Sequence, residues 1–239
     1  PNNMLLSCSG NISFDQVVDY VSKNFVNQPK QPAHTYELVN DKQKKPNIKI
    51  LNKELEQTHM ALGIKAIHRK HPLRYAMGIL NIILGGNMSS RLFKEVREER
   101  GLVYEIKSSM TKYQDTGVFE ISAGMEHSQL IETLDVILSE LRRIREEKVS
   151  LGEFNRAKRY YIGTFLMALE KTTDYMLWIG ERILTDNLET KEQIIADIEA
   201  VTIDDVLKAA NEVIDNKRLN LAVIGKQEDA AAIERVFVI

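Results

Sequence analysis

Arg97 and Tyr104, seven positions apart, close a stretch that begins Gly85-Gly86-Asn87-Met88-Ser89-Ser90-Arg91-Leu92-Phe93 and runs on through Glu95-Val96-Arg97-Glu98-Glu99-Arg100-Gly101-Leu102-Val103-Tyr104. A guanidinium fork and a phenol are both hydrogen-bond donors that could reach acceptors on a ligand. A plainer account uses the same residues. Arg97 lies among Glu95, Glu98 and Glu99, where a surface ion pair would explain it. Tyr104 shares strand parity with Leu102 and Ile106, which would make it a core aromatic.

Other chemistries find less support. His68-Arg69-Lys70-His71 is the nearest approach to a metal pair, but two His three apart need a third ligand in tetrahedral reach, and Arg69, Lys70 and Pro72 make the segment read as a solvated turn. His59 is expected on the polar side of a strand, His34 in a linker and His127 at a helix start. Gly85-Gly86 lacks the Gly-Lys-Ser/Thr completion of a phosphate loop and follows a helix rather than a strand. No G-x-S-x-G elbow occurs, and Ser89-Ser90 reads as the cap of a helix from Arg91 to Arg100.

The chain has 239 residues, 44% hydrophobic and 28% charged, with a formal charge of −2. That composition supports a sizeable core and gives no field that would gather nucleic acid or an anionic membrane surface. Cys8 is the single cysteine, so no intrachain disulfide or thiolate cluster is available. In Leu5-Leu6-Ser7-Cys8-Ser9 it reads as a small buried strand residue. A reducing compartment, the cytoplasm, is expected, and no run of 18 apolar residues and no signal peptide is seen.

These residues must be held by regular elements, and hydrophobic period locates them. Met4 to Gly10 reads as a strand, followed by a helix capped by Ser13 with Phe14, Val17, Val18, Val21 and Phe25 at helical spacing. Leu219 to Gly225 repeats that strand ending in Gly, before a helix with Ala230, Ile233 and Val236. Two copies of one closing unit thus bracket the chain. Asn27 to Pro46, with Pro29, Pro32 and the charged run from Asp41 to Lys45, reads as a linker. Strands are expected over 48–51 and 58–67, where Met60, Leu62 and Ile64 face one side. Pro72 opens a helix with Tyr75, Ile79, Leu80 and Ile83 that ends at Gly85-Gly86 in a left-handed cap.

A hairpin is expected from Leu102 to Tyr113 and Gly117 to Met125, with Phe119, Ile121 and Ala123 inward. A helix carrying Leu130, Leu134, Ile137, Leu138, Leu141 and Ile144 follows. Ser150-Leu151-Gly152-Glu153 reads as a capping box for the next. Two more helices are expected over 174–184 and 204–214, the latter capped by Thr202. The architecture these elements dictate is α+β, a mostly antiparallel sheet with helices packed on one face.

The stretch from Leu84 to Tyr104 resembles the non-metal half of the insulinase, pitrilysin and mitochondrial processing peptidase family, in its compact prokaryotic form. The likeness extends through Glu153-Phe154-Asn155-Arg156-Ala157-Lys158 and Val201-Thr202-Ile203-Asp204-Asp205-Val206, and the family's H-x-x-E-H metal helix is not in this sequence. The resemblance implies a LuxS/processing-peptidase-like metalloenzyme half. Residues 1–26 would be the closing strand and helix of a preceding N-terminal half, 27–45 a linker and 46–239 a complete C-terminal domain. It further implies a zinc-dependent metalloendopeptidase whose two homologous halves enclose a chamber, with zinc bound by the other half and no catalytic or metal residue in this one. Arg97 and Tyr104 would contact the substrate backbone beside the Gly-rich turn at Gly85 and Gly86. The partners implied are the N-terminal catalytic half and a peptide substrate, with a homodimer of the intact protein left open. The alternative within the same family is a non-catalytic structural or partner subunit.

Overall fold

A computed structural model describes residues 4–25, 36–40, 42–226 and 230–239. Pro29, Pro32, His34 and Asp41 of the expected linker, and Pro1 to Asn3, lie outside the described residues. The chain divides into two compact units, Pro1–Leu38 with Ile162–Ile194, and Val39–Tyr161 with Ile195–Ile239. The second contains the whole stretch from Gly85 to Tyr104.

In that larger unit five strands form one sheet in the order β1-β5-β2-β4-β3, with β1 Asn47–Asn52, β2 Thr58–Ala66, β3 Glu105–Lys112, β4 Gly117–Met125 and β5 Leu219–Gly225. Only β1 and β5 run parallel; the other neighbours are antiparallel. The central strands alternate as their sequences do. Met60, Leu62 and Ile64 of β2 lie opposite Ala123, Ile121 and Phe119 of β4 and Val223, Leu221 and Leu219 of β5, and all nine are buried. Each of the larger side chains contributes roughly 1.5–3 kcal/mol of burial, so this apolar layer sets the register.

Helices cover that layer. α2 (Arg74–Leu84) contributes Ile79, Leu80 and Ile83, and α3 (Leu130–Glu146) contributes Leu134, Ile137, Leu138 and Leu141. α7 (Ile203–Val213) adds Val206, Ala209, Ala210 and Val213. It starts at a complete capping box in which Thr202 and Asp205 satisfy each other's backbone N–H. α8 (Ala230–Val236) inserts Ile233, and Phe237 just beyond it is buried as well.

The smaller unit holds α1 (Phe14–Asn24), α4 (Leu151–Glu170) from Ile162 onward, α5 (Thr172–Leu184) and the start of α6 (Lys191–Ala200). Trp178 stacks on Tyr175 and meets the edge of Phe165, and Arg182 lies 4.9 Å over its ring. Ser13 and Gln16 form a capping box at the start of α1, as the sequence predicts for Ser13, yet no residue of that helix is buried.

Several expectations are corrected. Met4 to Ser9 form no strand, because a strand needs a ladder partner and none lies beside them among the described residues; Ser7 Oγ instead donates to the Met176 carbonyl of α5 at 2.8 Å. Cys8 is accordingly exposed rather than buried. Gly85 does not take the left-handed region, its φ being −159°. α6 was not expected; its low amphipathicity and mostly exposed residues leave no clear apolar period to read. The capping box at Ser150 is half made: Ser150 Oγ accepts from the Glu153 N–H, but the Glu153 carboxylate is spent elsewhere.

Candidate functional site

The Gly-rich turn is shaped by close approach. A Cβ on Gly85 would lie 2.8 Å from the Ser108 backbone nitrogen, and one on Gly86 2.9 Å from the Ile82 Cα. Without side chains, both Gly85 and Gly86 N–H groups donate to the Asn81 carbonyl, and the Gly85 carbonyl accepts from Ser108 N–H at 3.0 Å. The turn is thereby tied to β3. Ser108 Oγ, buried, donates to Asn81 Oδ1 at 2.7 Å and closes the same corner.

The next corner is built by Asn87 and not by the serines. Asn87 Oδ1 accepts from Ser89 N–H at 2.8 Å, and Ser90 Oγ donates to the Asn87 carbonyl. The expected Ser89-Ser90 cap is therefore not formed. The helix beyond is also wound differently from expectation, as a π-helix over Phe93–Glu99. Leu92 just before it and Val96 within it are buried, and Gly101, at φ +63°, lets the chain reverse so that Leu102 N–H donates to the Val96 carbonyl. π-turns of this kind are uncommon and recur at functional sites.

Arg97 is exposed on this π-helix, its guanidinium 4.9 Å over the Phe93 ring. The ion pair that would explain it is not formed. Glu99 pairs instead with Lys94 at 3.5 Å, and Arg97 joins no ion pair among the described residues. Tyr104 is 51% exposed while Leu102, Val103 and Ile106 are buried, so it is not a core aromatic. It precedes β3 by one residue, where strand alternation does not yet hold, although its N–H already donates to the Gly124 carbonyl at 2.8 Å. Its hydroxyl donates to Glu126 Oε1 at 3.1 Å, and that hydrogen bond is the main reason the phenol titrates above its usual range.

The sequence reading missed Arg91 and its partners. Arg91 Nε donates to Glu153 Oε1 and Nη2 to Glu153 Oε2, each at 2.8 Å, a parallel fork across 62 residues. Glu140 of α3, also buried, faces the same guanidinium. The legible signal was Glu140 itself, a carboxylate placed beside the apolar stripe of α3 rather than opposite it. Ile82, Ile83, Met88, Ala157 and Tyr160, with Glu153 at one side, line a groove of about 450 Å³ beside the Gly-rich turn.

Two of the histidines are engaged through both ring nitrogens. His71 Nδ1 accepts from Leu73 N–H at 3.1 Å and its Nε2 meets Glu212 Oε1 at 3.0 Å, so the segment is pinned rather than solvated. His127 bridges Thr58 Oγ1 and the Leu55 carbonyl through its two ring nitrogens, and His59 is exposed on β2 as expected. No group of three His, Cys, Asp or Glu side chains among the described residues is arranged to hold a metal ion. No helix among them is long and apolar enough to cross a membrane.

A family model described as the peptidase M16 inactive domain matches residues 1–161. An uncharacterised zinc protease of Streptomyces coelicolor is 33% identical over 242 residues, covering 97% of this chain and 52% of that protein. The uncharacterised zinc protease YmxG of Bacillus subtilis is 32% identical over 215 residues, covering 86% and 50%. The chain spans about half the length of these curated relatives. Among solved structures, a protease from Helicobacter pylori matches with a TM-score of 0.80 at 20% identity, over 90% of this chain and 54% of that one. The peptidase M16 inactive domain from Pseudomonas fluorescens matches at 0.78 and 24%, over 92% and 52%, a likeness of fold. On the family match and the identity to these relatives, the chain belongs to the peptidase M16 family as its inactive domain.

Proposed function

We propose that this chain is the substrate-binding half of a zinc-dependent metalloendopeptidase, in which two homologous halves enclose a chamber and the other half performs hydrolysis. The observation that carries the reading is the state of Arg97 and Tyr104. Both are exposed, on elements anchored by buried neighbours; Arg97 joins no ion pair among the described residues, and the Tyr104 hydroxyl is held by one solvent-exposed hydrogen bond to Glu126 rather than by the core. The ring nitrogens of His71 and His127 are already engaged by backbone, hydroxyl and carboxylate groups, so neither side chain offers an open nitrogen to zinc. The metal belongs, in this reading, to the other half, and this half binds and orients.

Arg97 supplies a charged fork and Tyr104 a hydroxyl to peptide carbonyls. Tyr104 would exchange its Glu126 contact for the substrate, and that exchange is cheap because the present hydrogen bond is solvent-exposed. Residues 1–26 belong to the same proposal as the closing elements of the preceding half, with 27–45 as linker and 46–239 as the C-terminal domain. The unburied apolar residues of α1 support this, since an amphipathic helix of that length normally has a face to cover.

The test uses the full-length protein. Arg97→Ala and Tyr104→Phe should each cost roughly 1–3 kcal/mol of transition-state binding, about tenfold to a hundredfold in kcat/KM, with the melting temperature nearly unchanged. Cleavage at the wild-type rate by both variants, or losses that follow unfolding, would overturn the assignment. A full-length protein that binds no zinc and cleaves no peptide would favour the structural or partner-subunit reading.

A further inference from the structure

Arg91 is buried more deeply than a surface ion pair requires, and nothing above uses it in binding. Its side chain is 13% exposed and that of Glu140 is 9% exposed. The guanidinium gives two hydrogen bonds to Glu153 in the first turn of α4, and its third nitrogen, Nη1, lies 3.7 Å from Glu140 Oε2 on α3. Glu140 Oε1 in turn accepts from Arg143 at 3.2 Å. Arg91 itself stands two residues before the π-helix that carries Arg97. One guanidinium therefore joins three helices. Nη1 and Glu140 Oε2 have no hydrogen-bond partner, so part of the cluster's desolvation is not repaid.

Cohesion alone does not account for such a cluster. Apolar side chains of similar volume would hold three helices at no greater cost than a buried ion pair with unmatched atoms. What a bidentate fork adds is direction: it fixes the rotation and height of the residue that bears it. That matters for a short element, because a slip of even one residue would carry Arg97 round to another face of the helix. Leu92 and Val96 anchor the π-helix by packing, but apolar packing resists such rotation less than paired hydrogen bonds do.

We infer that Arg91 is a positioning residue, whose fork to Glu153 and contact with Glu140 fix the start of the π-helix and so the place from which Arg97 reaches the peptide. The inference rests on the assignment of Arg97 to substrate. Arg91→Lys keeps the charge and removes the fork, and it is measured alone and together with Arg97→Ala in the full-length protein. Arg91→Lys should lower kcat/KM by about tenfold in the wild-type background and by less than about twofold where Arg97 is already Ala, the coupling expected of residues that act as one. Amide exchange over residues 93–99 should quicken by at least about tenfold without a shift in melting temperature.

Equal losses in the two backgrounds, or unchanged exchange over 93–99, would overturn the positioning role while leaving the Arg97 assignment intact. A wild-type rate for Arg97→Ala alone would instead remove the assignment beneath it, and the exchange measurement would still report on Arg91. Should Arg91→Lys fold poorly, Glu140→Gln, which keeps volume and removes the charge facing Nη1, takes its place with the same expected coupling.

Discussion

At the C-terminal end, Leu219–Gly225 pairs with β1 on one side and β2 on the other, and the following helix buries Ile233. At the N-terminal end the same order of apolar run, glycine and amphipathic helix gives a segment without ladder partners and a helix whose Phe14 is 80% exposed. The helices themselves form at both ends, since a helix satisfies its own backbone groups and needs only a cap and a period. The strand does not, since its hydrogen bonds belong to its neighbours. Local sequence thus specifies a helix almost anywhere and a strand only where a partner edge is within reach.

The sharpest way to break this comparison is to truncate one aromatic at each end. Phe237→Ala should destabilise this chain by about 3–5 kcal/mol in urea, because the ring is fully enclosed and leaves a cavity. Phe14→Ala should change stability by less than about 0.5 kcal/mol, as expected of an exposed side chain. Equal effects would mean that α1 is covered in solution. In the full-length protein the proposed division of the chain makes a further demand: there Phe14→Ala should cost about 2 kcal/mol or more.

The capping boxes refine the contrast. Thr202→Ala should cost about 1 kcal/mol globally, since α7 is built into the core, whereas Ser13→Ala should only quicken amide exchange within α1. The Thr202 cap also carries a pH signature. Hydrogen bonds from Thr202, its side chain first, hold the Asp205 carboxyl below its ordinary value of 3.8. A depressed carboxyl stabilises the fold above the unfolded value and loses that contribution as pH falls through the folded one. The stability gap between wild type and Asp205→Asn should therefore be constant near neutrality and close below pH 3.8. A gap that persisted into stronger acid would show that the cap acts through something other than the carboxylate.

Tyr104 carries the smallest expected effect and extends the comparison from elements to a side chain, being exposed like Phe14 yet holding a partner. Its phenol is raised above 10.0 chiefly by the hydrogen bond to Glu126. Spectrophotometric titration of Glu126→Gln should return that phenol toward its ordinary range. An unchanged titration would mean that the contact is not populated in solution and that Tyr104 stands free for another acceptor.

The apolar alternation of Met60, Leu62 and Ile64, the hairpin around Gln114-Asp115-Thr116, the Thr202 cap and the periods of α2 and α3 were determined by sequence alone. Each is a local rule, readable within one element, and the family resemblance of Leu84 to Tyr104 was legible for the same reason: it is a contiguous string. Tertiary structure alone decided the rest. The glycines at 85 and 86 look like a helix stop, but it is the approach of Ser108 and α2's own last turn that excludes a Cβ there. Glu153 looks like half of a capping box, but a guanidinium 62 residues away takes its carboxylate. Glu95, Glu98 and Glu99 offered Arg97 a partner, and the π-winding gave Glu99 to Lys94 and left Arg97 over Phe93. Where a residue's partner lies within a few positions the sequence names it; where several partners compete across the fold, distance and burial choose among them, and those exist only once the chain has folded.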